Sequence, residues 1–257
     1  MSGFVTVAGC SIEYRLLVLA ARPTLVFLHQ GLGSAALWRD FPDRLAAVTG
    51  CGLLTYSRLG HGGSDPEPEP RRPEFLLNQG QADLDALLRA LGLGEIILVG
   101  HSDGATITLT YLAAGRSALG AVIVAPHVMD EEVTWRAIEQ QRDAWKDGGL
   151  RGRLARHHRD VDATFQAWAG MWLAPEFRGW GIIPRLRSIK CPLLAVQGVE
   201  DEYGTMAQID EIACSVAGPV RVEKLARCGH DPFRDQPDRM LDLCTRFIAG
   251  LLQPSLR

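Results

Sequence analysis

Short apolar runs alternate with longer stretches of helical spacing along most of the chain, and this alternation restricts the possible folds more than any other feature. Strands are predicted at residues 4–7, 12–19, 24–29, 53–56, 95–99, 121–125, 192–197 and 220–225. Helices are predicted at residues 37–48, 75–91, in a stretch that ends near 114, and at 238–252. Strands that alternate with helices are typical of a mostly parallel central sheet with helices on both faces. The sequence therefore predicts an α/β fold that opens with a hairpin.

One segment, residues 127–187, breaks the alternation. Its pattern is helical and poor in strands, and it is rich in Arg and acidic residues. It also holds most of the tryptophans: Trp135, Trp145, Trp168, Trp172 and Trp180. We interpret this segment, called the cap segment below, as a helical insertion between two strands. The predicted core is then residues 1–126 and 188–257.

The composition agrees with one globular domain. The chain has 257 residues, 47% of them hydrophobic and 22% charged, which suffices for one well-buried α/β domain with an insertion. The formal net charge of −3 predicts no large basic patch, so no nucleic-acid partner is expected. The apolar runs are far too short to span a membrane, and the N-terminus lacks a secretory signal pattern. We expect a cytoplasmic protein with a small-molecule substrate and no membrane partner.

No cofactor or metal is expected. The six cysteines include no C-x-x-C pair, and several lie in apolar runs that are typical of buried thiols. His157 and His158 lie in a charged run without a carboxylate or cysteine spaced to complete a ligand set, which favours a solvated helix face. The proline-rich stretch at residues 66–73 is predicted to be a stiff exposed loop.

The pentapeptide G-H-S-D-G at residues 100–104 carries the first candidate for chemistry. It follows an apolar strand and opens a helix, which is the context that a nucleophile elbow requires. The turn is tight, so Gly100 and Gly104 let the strand and the helix approach closely. Ser102 would lie at the helix N-terminus, where backbone N–H groups favour negative charge. Ser102 is therefore the candidate nucleophile.

A neutral serine needs a base, and the base needs an orienting acid. His230 follows the last apolar strand and precedes the final helix, which makes it the candidate base. Asp201 follows the strand that ends at Gly198 and is the candidate acid, although Glu200 and Glu202 lie in the same turn. We expect Asp201 to hold the imidazole tautomer and to stabilise the imidazolium.

Acyl transfer also needs N–H donors for the developing oxyanion. The backbone N–H of Asp103, directly after the nucleophile, is one candidate. The second is expected from residues 29–34, HQGLGS, which follow an apolar strand and are called the oxyanion turn below. Gly31 is the first choice, because a glycine lets its peptide point inward, and Leu32 is the second. His29 is expected to pack under this turn.

Five motifs occur in order: HQGLGS at 29–34, SRLGHGGSD at 57–65, GHSDG at 100–104, G-x-x-D at 198–201 and GH at 229–230. Together they resemble the α/β-hydrolase superfamily over essentially the whole chain. The chain looks most similar to small bacterial enol-lactonases, meta-cleavage-product hydrolases and proline iminopeptidases. In such relatives a turn resembling H-G-G-P-G supplies an oxyanion donor, and here Gln30 and Leu32 depart from it. Haloalkane dehalogenases and epoxide hydrolases attack with a carboxylate, so Ser102 disfavours those activities.

Two further residues are candidates for substrate binding. The carboxylate of Asp103 either points away from the pocket, toward its own helix N-terminus, or faces the pocket and binds a substrate ammonium. His127 follows a strand at the edge of the sheet where ligands bind, and it contacts substrate or caps the strand. His101 is expected to be a packing residue.

The residues favour hydrolysis of a small carboxylic ester, lactone, thioester or related acyl bond through an acyl-serine intermediate. A C–C bond hydrolase or a cofactor-free perhydrolase would use the same residues. A non-enzymatic ligand-binding protein on a hydrolase scaffold is the third alternative, although a complete Ser, Asp and His set disfavours it. The sequence does not indicate the oligomeric state.

Overall fold

The fold is built on one mixed sheet. The computed structural model describes residues 1–67, 71–72 and 74–253, and part of the proline-rich stretch at 66–73 lies outside these residues. Within the described chain the sheet has eight strands in the order β1-β2-β4-β3-β5-β6-β7-β8. They are β1 Ser2–Val7, β2 Cys10–Leu17, β3 Thr24–Leu28, β4 Gly52–Tyr56, β5 Ile96–His101, β6 Gly120–Val124, β7 Leu193–Gly198 and β8 Val220–Leu225.

The first two strands form the predicted hairpin, and the rest of the sheet is parallel. β1 pairs antiparallel with β2, and β2 pairs antiparallel with β4. All pairs from β4 through β3, β5, β6 and β7 to β8 are parallel. The carboxyl ends of parallel strands meet at one edge of a sheet. The turns that follow β3, β5, β6, β7 and β8 therefore lie at a common edge.

Helices cover both faces of the sheet, as the sequence predicts. They are α1 Phe41–Thr49, α2 Phe75–Asn78, α3 Leu84–Ala90, α4 Asp103–Ala113, α5 Glu132–Lys146, α6 Gly149–Leu154, α7 Val161–Leu173, α8 Ile183–Leu186, α9 Ala207–Ser215, α10 Pro232–Asp235 and α11 Pro237–Leu252. On one face, α1 and α11 bury Leu45 and Leu243. On the other face, α3, α4 and α9 bury Leu84, Leu109 and Ile209. In the described chain, no helix combines the length and the apolar character needed to cross a membrane.

Three helical regions differ in detail from the sequence prediction. The helix predicted at residues 37–48 is a short 3-10 turn, Ala35–Trp38, followed by α1. The helix predicted at residues 75–91 is α2 and α3 joined by a π-helical turn at Gln79–Asp83. Helix α9 is absent from the sequence prediction because its nine residues bury only two large apolar side chains, Ile209 and Ile212.

The cap segment lies between β6 and β7 and contains α5 to α8. Its helix α7 is buried along one side by aromatic residues that join the core cluster: Phe165, Trp168 and Trp172. A stack between Trp145 and Phe165, with centroids 3.9 Å apart, holds α5 against α7. The division of the chain into a core and a cap stays a prediction.

Candidate active site

The turn between β5 and α4 presents Ser102 in a strained conformation. Ser102 has φ 54° and ψ −120°, a region that non-glycine residues rarely adopt. A Cβ on Gly104 would overlap the carbonyl oxygen of Leu28, and one on Gly100 would overlap the backbone of Gly104. Only glycines permit this approach of strand and helix, which is the physical reason for the G-x-S-x-G pattern.

His230 lies between Ser102 and Asp201. Its Nε2 is 2.9 Å from the Ser102 Oγ, and its Nδ1 is 2.8 Å from the Asp201 Oδ1. A carboxylate only accepts hydrogen bonds, so Nδ1–H donates to Asp201 and the bare Nε2 accepts from the Ser102 hydroxyl. The three residues predicted from sequence are therefore joined by two consecutive hydrogen bonds.

The environment of His230 favours its charged form. Burial opposes the imidazolium, but the hydrogen bond and the negative charge of Asp201 outweigh it and raise the pKa of His230 above its ordinary value. Burial likewise opposes the carboxylate of Asp201, yet the same pairing lowers the pKa of Asp201. The pair therefore stabilises an imidazolium next to a carboxylate.

Asp201, rather than either neighbouring glutamate, contacts the imidazole ring. Its carboxylate also accepts hydrogen bonds from the Tyr203 N–H at 2.8 Å and from the Gln197 Nε2 at 3.2 Å. Glu202 instead accepts the backbone N–H of His230 at 3.1 Å. These contacts orient Asp201 and leave Glu202 to position the loop that carries His230.

The oxyanion turn is held from beneath by buried polar groups. The Nδ1 of His29 lies 2.7 Å from the Gln30 oxygen, and the Nε2 accepts the Arg58 N–H at 3.1 Å. Burial lowers the pKa of His29 well below its ordinary value, so this imidazole is neutral. His29 packs under the turn, as predicted, with both nitrogens engaged. The guanidinium of Arg58, which the sequence prediction did not single out, contacts the same turn.

Gly31 has no space for a side chain. A Cβ at this position would overlap the indole of Trp168 and would lie 2.9 Å from the Asp103 Oδ2. The oxyanion turn, the elbow and the cap segment therefore meet at the α-carbon of Gly31, which explains the glycine physically.

The carboxyl of Asp103 points toward the cap segment. Its Oδ1 accepts a hydrogen bond from the Trp172 Nε1 at 3.3 Å. Its Oδ2 is buried and has no hydrogen-bond partner within the described residues. Burial raises the pKa of Asp103, and the charge of Arg58 partly opposes this rise. The Asp103 carboxyl is therefore directed at the indoles of α7, and a substrate-facing role for it stays a prediction.

His127 lies directly beyond β6, on the same side of the site as Trp172. The two rings meet edge to face with centroids 5.0 Å apart, and the His127 ring is 5.9 Å from that of His230. Burial, assisted by the nearby His230, lowers the pKa of His127 to about 3. Its Nδ1 is buried and has no partner among the residues described. His127 is therefore a neutral, polar group beside the candidate base His230.

Two other histidines have structural contacts. His101 packs beneath the site, with Nε2 2.8 Å from the His230 carbonyl and Nδ1 3.1 Å from the Gln30 Oε1. The solvated-face interpretation is wrong for His158, which is buried. The loop before α7 folds back onto the core, so His158 accepts the Gly62 N–H at 3.1 Å and reaches the Leu32 carbonyl at 3.1 Å.

The same end of the cap segment makes further contacts with the loop after β4. The Arg159 N–H donates to the Gly62 carbonyl at 2.8 Å, and the Thr164 hydroxyl donates to the Gly60 carbonyl at 2.6 Å.

In the part of the chain that the structure describes, no cluster of three or more His, Cys, Asp or Glu side chains could hold a metal ion.

The curated proteins similar to this chain include a lipase and a peptidase. Among curated proteins, the sn-1-specific diacylglycerol lipase ABHD11 of Mus musculus is 24% identical over 90% of this chain and 82% of its own length. The proline iminopeptidase of Lactobacillus helveticus is 23% identical over 96% of this chain and 97% of its own.

Solved structures share the fold. The esterase RhEst1 from Rhodococcus sp. ECU1013 superposes with a TM-score of 0.73 at 24% identity, covering 97% of this chain and 99% of its own. The meta-cleavage product hydrolase from Pseudomonas fluorescens IP01 gives 0.74 at 18% identity, covering 96% and 97%. Residues 25–243 match the sequence profile of the alpha/beta hydrolase family. With that match over most of its length and with the sheet described above, the chain belongs to the alpha/beta hydrolase family.

Proposed function

We propose that the protein is a serine hydrolase that cleaves a small carboxylic ester, lactone, thioester or related acyl bond through an acyl-serine intermediate. The observation that carries this proposal is the unbroken hydrogen-bond path from the Ser102 hydroxyl through His230 to Asp201. Such a path lets an imidazole take the hydroxyl proton while the carboxylate stabilises the resulting imidazolium.

In the proposed reaction, the Ser102 Oγ attacks the acyl carbon as its proton moves to the His230 Nε2. The tetrahedral oxyanion is met by the backbone N–H of Asp103 and by that of Gly31 in the oxyanion turn. His230 then returns the proton to the leaving group, and the acyl-serine forms. A water molecule, deprotonated by His230, hydrolyses the ester to release the acid and restore Ser102.

We infer the substrate class from side chains that lie near Gly31, Asp103 and His230. Trp168 and Trp172 provide an apolar wall, while Asp103 and His127 each offer a buried polar atom without a partner in the described chain. We propose that both bind the acyl part of the substrate, and that the Asp103 carboxylate accepts a hydrogen bond from a substrate ammonium. The similarity to a proline iminopeptidase, whose name refers to proline and to an imino group, supports this choice.

The first experiment compares p-nitrophenyl butyrate hydrolysis by the wild type and Ser102→Ala. We expect turnover by the wild type and its loss in the variant, together with fluorophosphonate labelling of the wild type alone. Undiminished turnover by Ser102→Ala would refute the acyl-serine proposal. Absence of both labelling and turnover in folded wild type would favour a ligand-binding protein. Activity confined to vinylogous diketones would favour the C–C bond hydrolase.

A second experiment tests the ammonium site with two esters of equal size, one with an α-amino group and one with an α-methyl group. Asp103→Asn keeps the shape of the side chain and removes its charge, so we expect KM to rise for the amino ester alone. Equal changes for both esters would exclude Asp103 as the ammonium site.

A further inference from the structure

Arg58 is a buried arginine without a carboxylate in hydrogen-bond contact among the described residues. Its side chain is almost fully inaccessible, and its guanidinium donates to two consecutive carbonyl oxygens of the oxyanion turn. One is the oxygen of His29, and the other is that of Gln30, at 3.1 Å from Nη2. Burying a guanidinium is costly, so its placement against a single turn calls for a specific role.

The Gln30 carbonyl accepts hydrogen bonds from three donors. Besides Arg58, it accepts the Gly33 N–H at 2.9 Å. The third donor is the His29 Nδ1 at 2.7 Å. This Nδ1 carries the proton because the Nε2 of the same ring accepts the Arg58 N–H. Three donors fix the direction of this carbonyl more firmly than one could.

The direction of this carbonyl determines the direction of the next N–H. In a trans peptide the C=O of one residue and the N–H of the following residue point to opposite sides of the C–N bond. When Arg58 draws the Gln30 oxygen back into the core, the Gly31 N–H is turned outward. The turn also lies against the elbow, since a Cβ on Gly104 would meet the backbone of Leu28 and His29.

The charge of Arg58 acts in the same sense. Burial lowers the pKa of Arg58 to about 10, so the guanidinium is still protonated at neutral pH, and the carboxylate of Asp103 is the leading charge that favours this form. Asp103 adjoins Gly31 and would oppose an oxyanion formed there. A positive charge behind the turn offsets that opposition.

We propose that Arg58 is a positioning residue, which holds the Gln30–Gly31 peptide so that the Gly31 N–H faces the developing oxyanion. This inference rests on the proposed function, and it selects Gly31 over Leu32 as the second donor. It predicts that losing the guanidinium weakens transition-state stabilisation and leaves both substrate binding and the His230 base intact.

The test compares p-nitrophenyl acetate with its thiono analogue, in which sulfur replaces the carbonyl oxygen. Sulfur accepts hydrogen bonds weakly, so the N–H donors contribute little to the thiono reaction. For Arg58→Met we expect the kcat of the oxygen ester to fall roughly 10- to 100-fold, since losing a whole donor costs about 10²–10³. We expect KM and the pH profile of kcat/KM to stay near wild-type values. The thiono rate should fall less than the oxygen-ester rate, because only the charge of Arg58, and not the N–H direction, acts on the developing thiolate.

Two further variants complete the test. Arg58→Lys keeps a donor and a charge, so it should recover part of the oxygen-ester rate, and it carries the test if Arg58→Met does not fold. Arg15→Met is the matched control, because Arg15 bonds Asp43 through two nitrogens outside the site. It should leave both rates unchanged.

The outcomes separate this inference from the proposed function. A full oxygen-ester rate in Arg58→Met, or equal losses on the oxygen and thiono esters, overturns the positioning role. In either case the inactivity of Ser102→Ala would leave the serine hydrolase standing. Retained hydrolysis in Ser102→Ala would instead overturn the proposed function, whatever Arg58 does.

Discussion

Two aspartates with buried side chains lie near Ser102, Asp103 as its neighbour in the chain and Asp201 beyond His230, and their environments are opposite. Asp201 accepts hydrogen bonds from a histidine ring, a backbone N–H and a glutamine amide, and its pKa is lowered. Asp103 accepts one indole N–H, has an oxygen without a partner in the described chain, and its pKa is raised. A saturated carboxylate is suited to a fixed electrostatic role, whereas an unsaturated one is suited to an incoming group.

The largest expected effect comes from removing the Ser102 hydroxyl, which ends the hydrogen-bond path to His230 and Asp201. Ser102→Ala should reduce the kcat of ester hydrolysis by roughly 10⁴- to 10⁶-fold, because the other groups cannot act without a nucleophile. Steady-state hydrolysis of p-nitrophenyl butyrate measures it. The free energy of unfolding should be little changed. If the variant is largely unfolded under assay conditions, the activity loss would reflect misfolding and not the missing nucleophile.

The next variant removes only the charge of the saturated carboxylate. Asp201→Asn should lower kcat by about 10⁴-fold, since the His230 tautomer is no longer held. It should also lower the pKa of His230, because burial then acts with only the weaker charges of Glu202 and Asp231 against it.

The pH profile shows this change directly. His230 must be neutral to act as a base, so wild-type kcat/KM should rise with pH through a pKa above the ordinary histidine value of about 6.5. In Asp201→Asn that acid limb should move to lower pH. An acid limb that stays in place would show that Asp201 does not set the pKa.

On the Asp103 side the same type of substitution should have a smaller and opposite effect. Asp103→Asn removes a negative charge beside the oxyanion, so kcat for neutral esters should rise a few-fold. This corresponds to a lowering of the activation free energy by about 1 kcal/mol at most. Measuring kcat with p-nitrophenyl acetate tests this. A 100-fold loss would mean that the two carboxylates have similar roles.

The smallest expected effect comes from the indole that partners Asp103. Trp172→Phe keeps the aromatic packing and removes the hydrogen bond to the Asp103 Oδ1, which should raise the pKa of Asp103 further. We expect KM for an amino ester to change by roughly two- to fivefold, in line with one hydrogen bond. Trp180→Phe is the control. Trp180 packs against the Trp172 ring from the side, so this variant changes the neighbouring aromatic packing and keeps the hydrogen bond from Trp172 to Asp103.

The sequence predicted the parts of the site that depend on local backbone geometry. Ser102 and its glycines could be recognised because a tight strand-to-helix turn excludes larger residues. The turns that carry Asp201 and His230 could be found because parallel strands deliver them to one edge. The order of strands and helices follows from the same hydrophobic periodicity.

The sequence did not predict contacts that depend on the tertiary fold. In the sequence, Arg58 is one arginine in a Gly-rich loop, and its contact with the oxyanion turn becomes visible only in the folded structure. His158 lies in a charged run, yet folding buries it against Leu32 and Gly62. Strand β5 extends two residues beyond its predicted end, because His101 still pairs with Val124. These contacts depend on which surfaces pack together in the folded protein, and hydrophobic periodicity along the chain does not indicate which surfaces do so.

The hydrogen bonds at the start of α7 have a consequence for movement of the cap segment. His158, Arg159 and Thr164 tie one end of the cap segment to Gly60, Gly62 and Leu32. Any opening of the segment that keeps these hydrogen bonds must be a rotation about this end of the segment. The α5 side is held as well, because the Thr134 hydroxyl donates to the Tyr203 carbonyl at 2.6 Å and Glu131 accepts from the Gln208 Nε2 at 2.8 Å. Movement of the whole segment away from the core would therefore break hydrogen bonds at one of these two attachments.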